Sequence, residues 1–114
     1  MEQVDEAPSK LSIPEWSKAD RPRERLLANG PKALSDAELV AILIRSGTPQ
    51  DSALDLARLI LRKAGNDLHK LAGTGVAELM RIKGVGEAKA LSIVAALELG
   101  LRRRDQVVEQ RPLV

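Results

Sequence analysis

The chain of 114 residues contains no cysteine, phenylalanine or tyrosine, and it has one tryptophan and one histidine. The absence of cysteine excludes a disulfide framework and a thiolate zinc site, and it suits a protein of the reducing cytoplasm. A single aromatic residue argues against recognition of single strands or RNA by platforms on which bases stack. His69 has no second metal ligand at a suitable spacing. We therefore predict no catalytic site and no protein-ligated metal site in this chain.

Charge is distributed unevenly, although the net charge is only +2. Residues 1–20 hold five acidic residues and two lysines, so residues 21–114 carry a net charge of +5. A mildly basic folded part permits weak attraction to phosphates, but it lacks the dense basic face that indicates nucleic-acid binding by charge alone. No segment approaches the roughly 18 apolar residues of a membrane span. The N-terminus lacks an apolar signal region, and we expect a soluble, cytoplasmic protein.

Proline, glycine and charge predict three segments. Residues 1–19 show no helical period and indicate a flexible acidic arm that becomes ordered where Trp16 packs as a lid. Residues 20–104 form the helical domain, and residues 105–114 form a linker. The first helix is expected from Asp20 to Gly30, because Pro22 fits a first turn and glycine a helix end. Its three arginines are expected to pair locally with Glu24 or Asp20.

Helical periodicity continues through the rest of the domain. Ser35 and Glu38 form a capping box before an apolar run. Further helical stripes end near Gly65 and near residues 80–81, separated by a turn that buries Leu68 and Leu71. The last helix is expected at about residues 87–103. Because no segment alternates like a strand, the sequence predicts an all-α fold.

Residues 79–90 carry the most informative motif, a helix end, a Gly-Val-Gly turn and a helix start. Val85 is expected to tuck inward, and the following amides to point outward at a helix N-terminus, which favours an anion. The predicted phosphate-binding residues are Lys83, Gly84, Val85, Gly86, Glu87, Ala88 and Lys89. Carbonyls of Met80, Ile82 and Val85 are a candidate site for K⁺ or Na⁺ bridging protein and phosphate; no other cofactor is expected. The alternative is that the hairpin only packs two helices.

A faint internal repeat accompanies this motif. Glu38-Leu39 and Ile42 recur as Glu78-Leu79 and Ile82, and four apolar residues of residues 53–60 match four of residues 90–97. One helix-hairpin-helix cannot bury both its apolar faces, whereas two can share a core. The repeat therefore predicts a compact double helix-hairpin-helix bundle of five to six helices. Secondary DNA contacts are expected from Arg45, Ser46, Gly47 and Thr48 of the first hairpin, and from Arg81 beside the Gly-Val-Gly turn.

Four segments together with Trp16 resemble the N-terminal domain of bacterial RadC proteins: residues 21–27 (RPRERLL), 30–39 (GPKALSDAEL), 82–86 (IKGVG) and 96–100 (ALELG). The resemblance covers about residues 13–104. It implies a fold like RuvA domain 2 and SAM domains, followed in the family by a C-terminal JAB/MPN metalloprotease-like domain that this chain lacks. The family's name comes from DNA repair.

The leading hypothesis is a non-enzymatic module that binds the DNA backbone weakly and without sequence preference. In the rival hypothesis, the module binds a protein partner or itself and serves the C-terminal domain. The two differ in whether Lys83 and Lys89 contact phosphates.

Overall fold

The computed structural model describes the backbone of residues 12–110 and the side chains of residues 21–107. Within residues 12–110 it contains six α-helices, one 3₁₀ helix and no strand, which confirms the all-α prediction. Predictions for residues 1–11 and 111–114, and for the Trp16 side chain, lie outside the described part. The elements are α1 (Ser12–Asn29), the 3₁₀ helix (Pro31–Ala33), α2 (Asp36–Ile44), α3 (Ala53–Lys63), α4 (Leu68–Ala72), α5 (Val76–Leu79) and α6 (Glu87–Gln110).

Helix α1 begins at Ser12, eight residues before the predicted start, and includes residues assigned above to the arm. Pro14 lies in its first turn, where a missing N–H costs nothing, whereas Pro22 lies in its interior. The sequence interpretation placed the wrong proline at the helix start. The predicted end is correct, since Gly30 has a φ of 82° and donates its N–H to the Leu26 carbonyl at 2.9 Å.

Helix α6 extends to Gln110, beyond the predicted end at residue 103. Residues 104–110 continue the helix without an apolar stripe, because they contain no glycine or proline to stop it. Ala90 and Ile93 of the predicted inner stripe are buried, and Val94 and Leu97 are half-buried. Leu101 is exposed, so the stripe is buried only along the first half of the helix.

The chain divides into two units, with the boundary between Leu59 and Ile60. In the first unit, α1 packs against the 3₁₀ helix and α2. In the second unit, α6 packs against α4 and α5. Leu71 of α4 is buried as predicted, but the prediction for Leu68 is wrong: it is the first residue of a five-residue helix, and its side chain is exposed. The sharing of one core by two hairpins stays a prediction.

A network of polar groups joins the three elements of the first unit. The predicted capping box is present: the Ser35 N–H donates to Glu38 Oε1 at 2.8 Å, and the Glu38 N–H donates to Ser35 Oγ at 3.2 Å. Arg25 Nη1 donates to Glu38 Oε2 at 2.6 Å, and its Nη2 donates to the Ala33 carbonyl at 2.7 Å. Arg25 therefore pairs with an acid 13 residues away rather than with Glu24. The predicted local pairing is wrong for this arginine because α2 brings a carboxylate within reach.

The same contacts determine how Glu38 titrates. The hydrogen bond from the Ser35 N–H is the main cause that lowers the pKa of Glu38 from its ordinary 4.5, and burial opposes it. The Ser35 hydroxyl and Arg25 lower this pKa further. A lowered folded-state pKa means that the unfolded chain binds more protons near and below pH 4.5. The stabilisation is therefore present at neutral pH and is lost as pH falls through the folded-state pKa.

Replacing Glu38 with glutamine should lower the free energy of unfolding by about 0.5–1 kcal/mol at pH 7, because the half-exposed ion pair is lost while glutamine can still cap α2. The difference from wild type should shrink as pH falls below 4.5. Urea unfolding followed by circular dichroism at several pH values measures this. Glu24→Gln, which changes an exposed acid next to Arg25, is the matched control. An equal effect of both substitutions, or a pH-independent difference, would contradict this account.

Candidate functional site

The second hairpin, residues 80–86, connects α5 to α6 and is anchored by Val85. The Val85 side chain is 4% exposed, and its N–H donates to the Ile82 carbonyl at 3.0 Å. This turn places Gly84 at its third position with a φ of 96°, a conformation that only glycine adopts without strain. The apolar residue between the glycines thus turns inward, as the motif predicts.

Main-chain amides around Gly86 are the hydrogen-bond donors that this hairpin can offer to a ligand. Among the described residues, no acceptor is present for the N–H groups of Gly84, Gly86, Glu87, Ala88 and Lys89. The first amide of the region that bonds back along α6 is that of Ala90, which donates to the Gly86 carbonyl at 3.0 Å. The amides of residues 86–89 are the unpaired donors of a helix start, where the helix dipole also favours negative charge, and that of Gly84 lies in the preceding turn. The Val85 N–H is the exception in the predicted set, since it is bonded inside the turn.

The outer side of the hairpin is open at its centre. A Cβ built on Gly86 would meet nothing within 4 Å, and the residue does not have a left-handed φ. The fold therefore does not require glycine at this position. Because glycine has no side chain, however, another molecule can approach the amides closely. Lys83 is exposed and Lys89 is half-buried on either side of the turn, and the exposed Glu87 adds one negative charge.

The three carbonyls of the candidate cation site differ in their bonding. The Ile82 carbonyl accepts the Val85 N–H at 3.0 Å, whereas within residues 12–110 no backbone amide donates to the Met80 or Val85 carbonyls. The proposal of K⁺ or Na⁺ at this position stays a prediction. In the part of the chain that the structure describes, no group of three or more histidine, cysteine, aspartate or glutamate side chains is arranged to hold a metal ion.

The first hairpin, residues 45–52, is built differently. Arg45 has a φ of 73° and a ψ of −36°, and the Ser46 N–H donates across it to the Ile44 carbonyl at 2.8 Å. A three-residue turn with positive φ at a side-chain-bearing residue stores strain. The Thr48 N–H donates to the Asp51 carbonyl at 2.8 Å. This loop therefore uses several of its amides internally.

Gly47 is required by close packing in the first hairpin. A Cβ at this residue would clash with the Asp51 carbonyl oxygen and would lie 2.7 Å from the Ala53 nitrogen. The loop is thus closed by backbone against backbone, whereas the second hairpin is closed by the buried Val85 side chain. Arg45 and Ser46 are exposed, while Gly47 and Thr48 are half-buried. Their role as secondary DNA contacts, like that of the exposed Arg81, stays a prediction.

Burial also refines the register of the internal repeat. Leu79 is 1% exposed, but its predicted counterpart Leu39 is 37% exposed. A two-residue shift, which pairs Ala41 and Ile44 with Leu79 and Ile82, gives a closer match, because Ala41 and Ile44 are buried. The proposed match of the second helices holds at its first two positions, where Ala53 and Leu56 are buried like Ala90 and Ile93. At the other two positions Ala57 and Ile60 are buried, whereas Val94 and Leu97 are half-buried.

A family model described as UPF0758 N-terminal matches residues 13–91, a range that contains both hairpins. The chain belongs to the UPF0758 family. The predicted resemblance to RadC proteins is thereby confirmed, because UPF0758 proteins are the RadC family. No solved structure matches the chain. None of the described helices is long and apolar enough to cross a membrane.

Three UPF0758 relatives show how much of a longer protein this chain covers. It is 54% identical over 98 residues to a UPF0758 protein of Flavobacterium johnsoniae, with 86% of this chain and 42% of the relative aligned. It is 50% identical over 104 residues to one of Desulforudis audaxviator, with 91% and 45% aligned. For Dechloromonas aromatica the identity is 46% over 101 residues, with 89% and 45% aligned. The chain thus spans less than half the length of these UPF0758 relatives.

The two hairpin glycines should respond in opposite ways to alanine. Gly47→Ala should lower the free energy of unfolding by about 3 kcal/mol, because the added methyl group meets backbone that cannot move aside cheaply. Gly86→Ala should change it by less than about 0.5 kcal/mol, because the position is open. Denaturant unfolding of both UPF0758 variants tests this. Similar losses for the two substitutions would contradict the described loop geometry.

Proposed function

We propose that this UPF0758 chain is a non-catalytic module that binds the DNA backbone through its second hairpin. The observation that carries the proposal is the set of five amides at Gly84 and residues 86–89 that have no acceptor among the described residues. A phosphate has enough acceptor oxygens to bond several of them at once. Amides at the start of a long helix bind anions without any change of protonation.

The side-chain charges beside the amides also favour phosphate binding, but only weakly. Lys83 and Lys89 flank the amides, so that two cations can accompany the phosphate. Glu87 lies among the amides and reduces the local positive potential. We therefore expect weak binding, near the range of about 10⁻⁴–10⁻⁶ M at physiological salt that is typical of non-specific DNA complexes.

The proposed contacts also explain why binding should not depend on base sequence. Amides and lysines that hold phosphates position a protein on DNA but do not read base edges. The chain has one aromatic residue, so it lacks stacking platforms for single-stranded bases. Duplex DNA or a junction is the expected target.

Lys83→Gln combined with Lys89→Gln should weaken binding of a short duplex and flatten its salt dependence. Each phosphate contact that is lost should reduce the slope of log K against log salt by about 0.9. Fluorescence anisotropy of a labelled duplex, measured from low to physiological salt, gives both quantities. Lys32→Gln with Lys70→Gln removes the same charge from two other exposed lysines and is the matched control. Absence of wild-type binding at low salt, or equal losses in the two double variants, would refute DNA binding at the hairpin.

Gly86→Ala tests the amides without changing any charge. The added methyl group would separate a phosphate from the amides, and loss of one charge-assisted hydrogen bond should weaken duplex binding about tenfold or more. Gly100→Ala is the control, because Gly100 is an equally open glycine further along α6. Duplex anisotropy with the two folded variants measures the effect. Unchanged affinity for Gly86→Ala would show that the phosphate does not approach this face.

One observation favours the second candidate function, a protein-interaction or self-association module that serves a C-terminal JAB/MPN-type domain. Leu91 and Leu99 of α6 are large apolar side chains that are 51% and 66% exposed. More than half the length of each of these relatives lies outside the aligned region. A chain that binds no duplex at low salt would leave this candidate as the function of the module.

A further inference from the structure

The second unit contains an open cavity of about 220 Å³ between the end of α3, helix α4 and helix α5. The part of its floor that a ligand can reach consists of the half-buried aliphatic side chains of Ala64 and Ile82, while Ile60, Leu71 and Leu79 also line it but are at most 1% exposed. Three charged side chains, Lys63, Glu78 and Arg81, form its rim. The cavity therefore combines an apolar interior with charged groups at its mouth.

The charges at the rim are available to a ligand. Lys63, Glu78 and Arg81 are exposed, and within the described side chains none of them forms an ion pair within 4 Å. Thr74 also lines the cavity, but its hydroxyl donates to the Lys70 carbonyl at 2.8 Å. The rim thus offers two cations, one anion and no free hydroxyl donor.

Size and chemistry together restrict what can occupy this cavity. Sites for drug-sized ligands and cofactors have volumes of about 300–1,000 Å³, so 220 Å³ suits a single side chain. An aliphatic floor without an aromatic ring matches an aliphatic side chain better than a nucleobase, which would need a stacking partner. The excess of positive charge at the mouth favours carboxylates beside that side chain.

We propose that this cavity is a docking site for an acidic peptide segment of a partner protein, which places one leucine-sized side chain against Ala64 and Ile82. Acidic residues flanking the inserted side chain pair with Lys63 and Arg81. Arg81 and Ile82 of the second hairpin line the cavity, but none of the five residues with unpaired amides does, and the proposal does not depend on DNA binding. The cavity gives the chain a means of recognising a protein whether or not the hairpin holds phosphate.

A fluorescein-labelled peptide with one leucine between two pairs of glutamates is the probe. Its anisotropy with the full chain should saturate with a Kd below about 1 mM. Replacing the peptide leucine with alanine should weaken binding about tenfold, because the buried apolar area is lost. Replacing the glutamates with lysines should abolish it. These peptide changes need no variant of the protein.

Two protein variants locate the site. Ala64→Leu, at a half-buried residue that lines the cavity, should fill it and weaken peptide binding about tenfold without changing charge. Lys63→Gln with Arg81→Gln should weaken it about fivefold or more. Arg62→Gln, on the same helix but not lining the cavity, should have no effect. Thermal unfolding checks that each variant is folded.

Three results would overturn the proposal. Equal binding of the leucine and alanine peptides would mean that only charge is recognised. Equal losses for Arg62→Gln and the double variant would mean that the cavity is not the site. Displacement of the peptide by a single-stranded oligonucleotide whose own binding is weakened by Ala64→Leu would identify a nucleic-acid site instead.

Discussion

Burial of the Val85 side chain is the interaction on which the geometry of the second hairpin depends. With its side chain in the core and its N–H on the Ile82 carbonyl, Val85 fixes the turn that requires a positive φ at Gly84. The chain then leaves the turn at Gly86 and enters α6 directly. The amides that follow the turn have no internal acceptor because they begin a helix, and the burial of Val85 fixes where that helix starts. One packing contact thus determines which polar groups are offered to a ligand.

The first hairpin also connects two helices, but no buried side chain closes its turn. Gly47 lets the backbone close against residues 51–53. The amides of Ser46 and Thr48 donate to carbonyls of the loop and its preceding helix, so they are not available to a ligand. Arg45 takes up a strained conformation in this arrangement. Two segments related by a repeat in sequence therefore differ in the donors they present. The second hairpin is the one that leads into a run of four consecutive amides, at residues 86–89, without an acceptor among the described residues.

The sequence predicted the features that depend on local patterns. The capping box of Ser35 and Glu38, the inward Val85 and the burial of Ala90 and Ile93 follow from short spacings. It failed where distant residues decide the outcome. The pairing of Arg25 with Glu38 requires α1 and α2 to pack together, and the constraint at Gly47 depends on backbone that returns four to six residues later. The bond that removes the Val85 N–H from the predicted donor set follows from turn geometry, which spacing alone does not reveal.

Amide chemical shifts test the central claim most directly, because that claim concerns individual N–H groups. A ¹⁵N-labelled sample of the chain, titrated with a short duplex at low salt, should show its largest shift changes at Gly84 and at residues 86–89. The Val85 amide should change less, since it is already bonded to the Ile82 carbonyl. Shift changes that leave residues 84–89 unaffected while the duplex binds elsewhere, or no changes at all, would contradict the account.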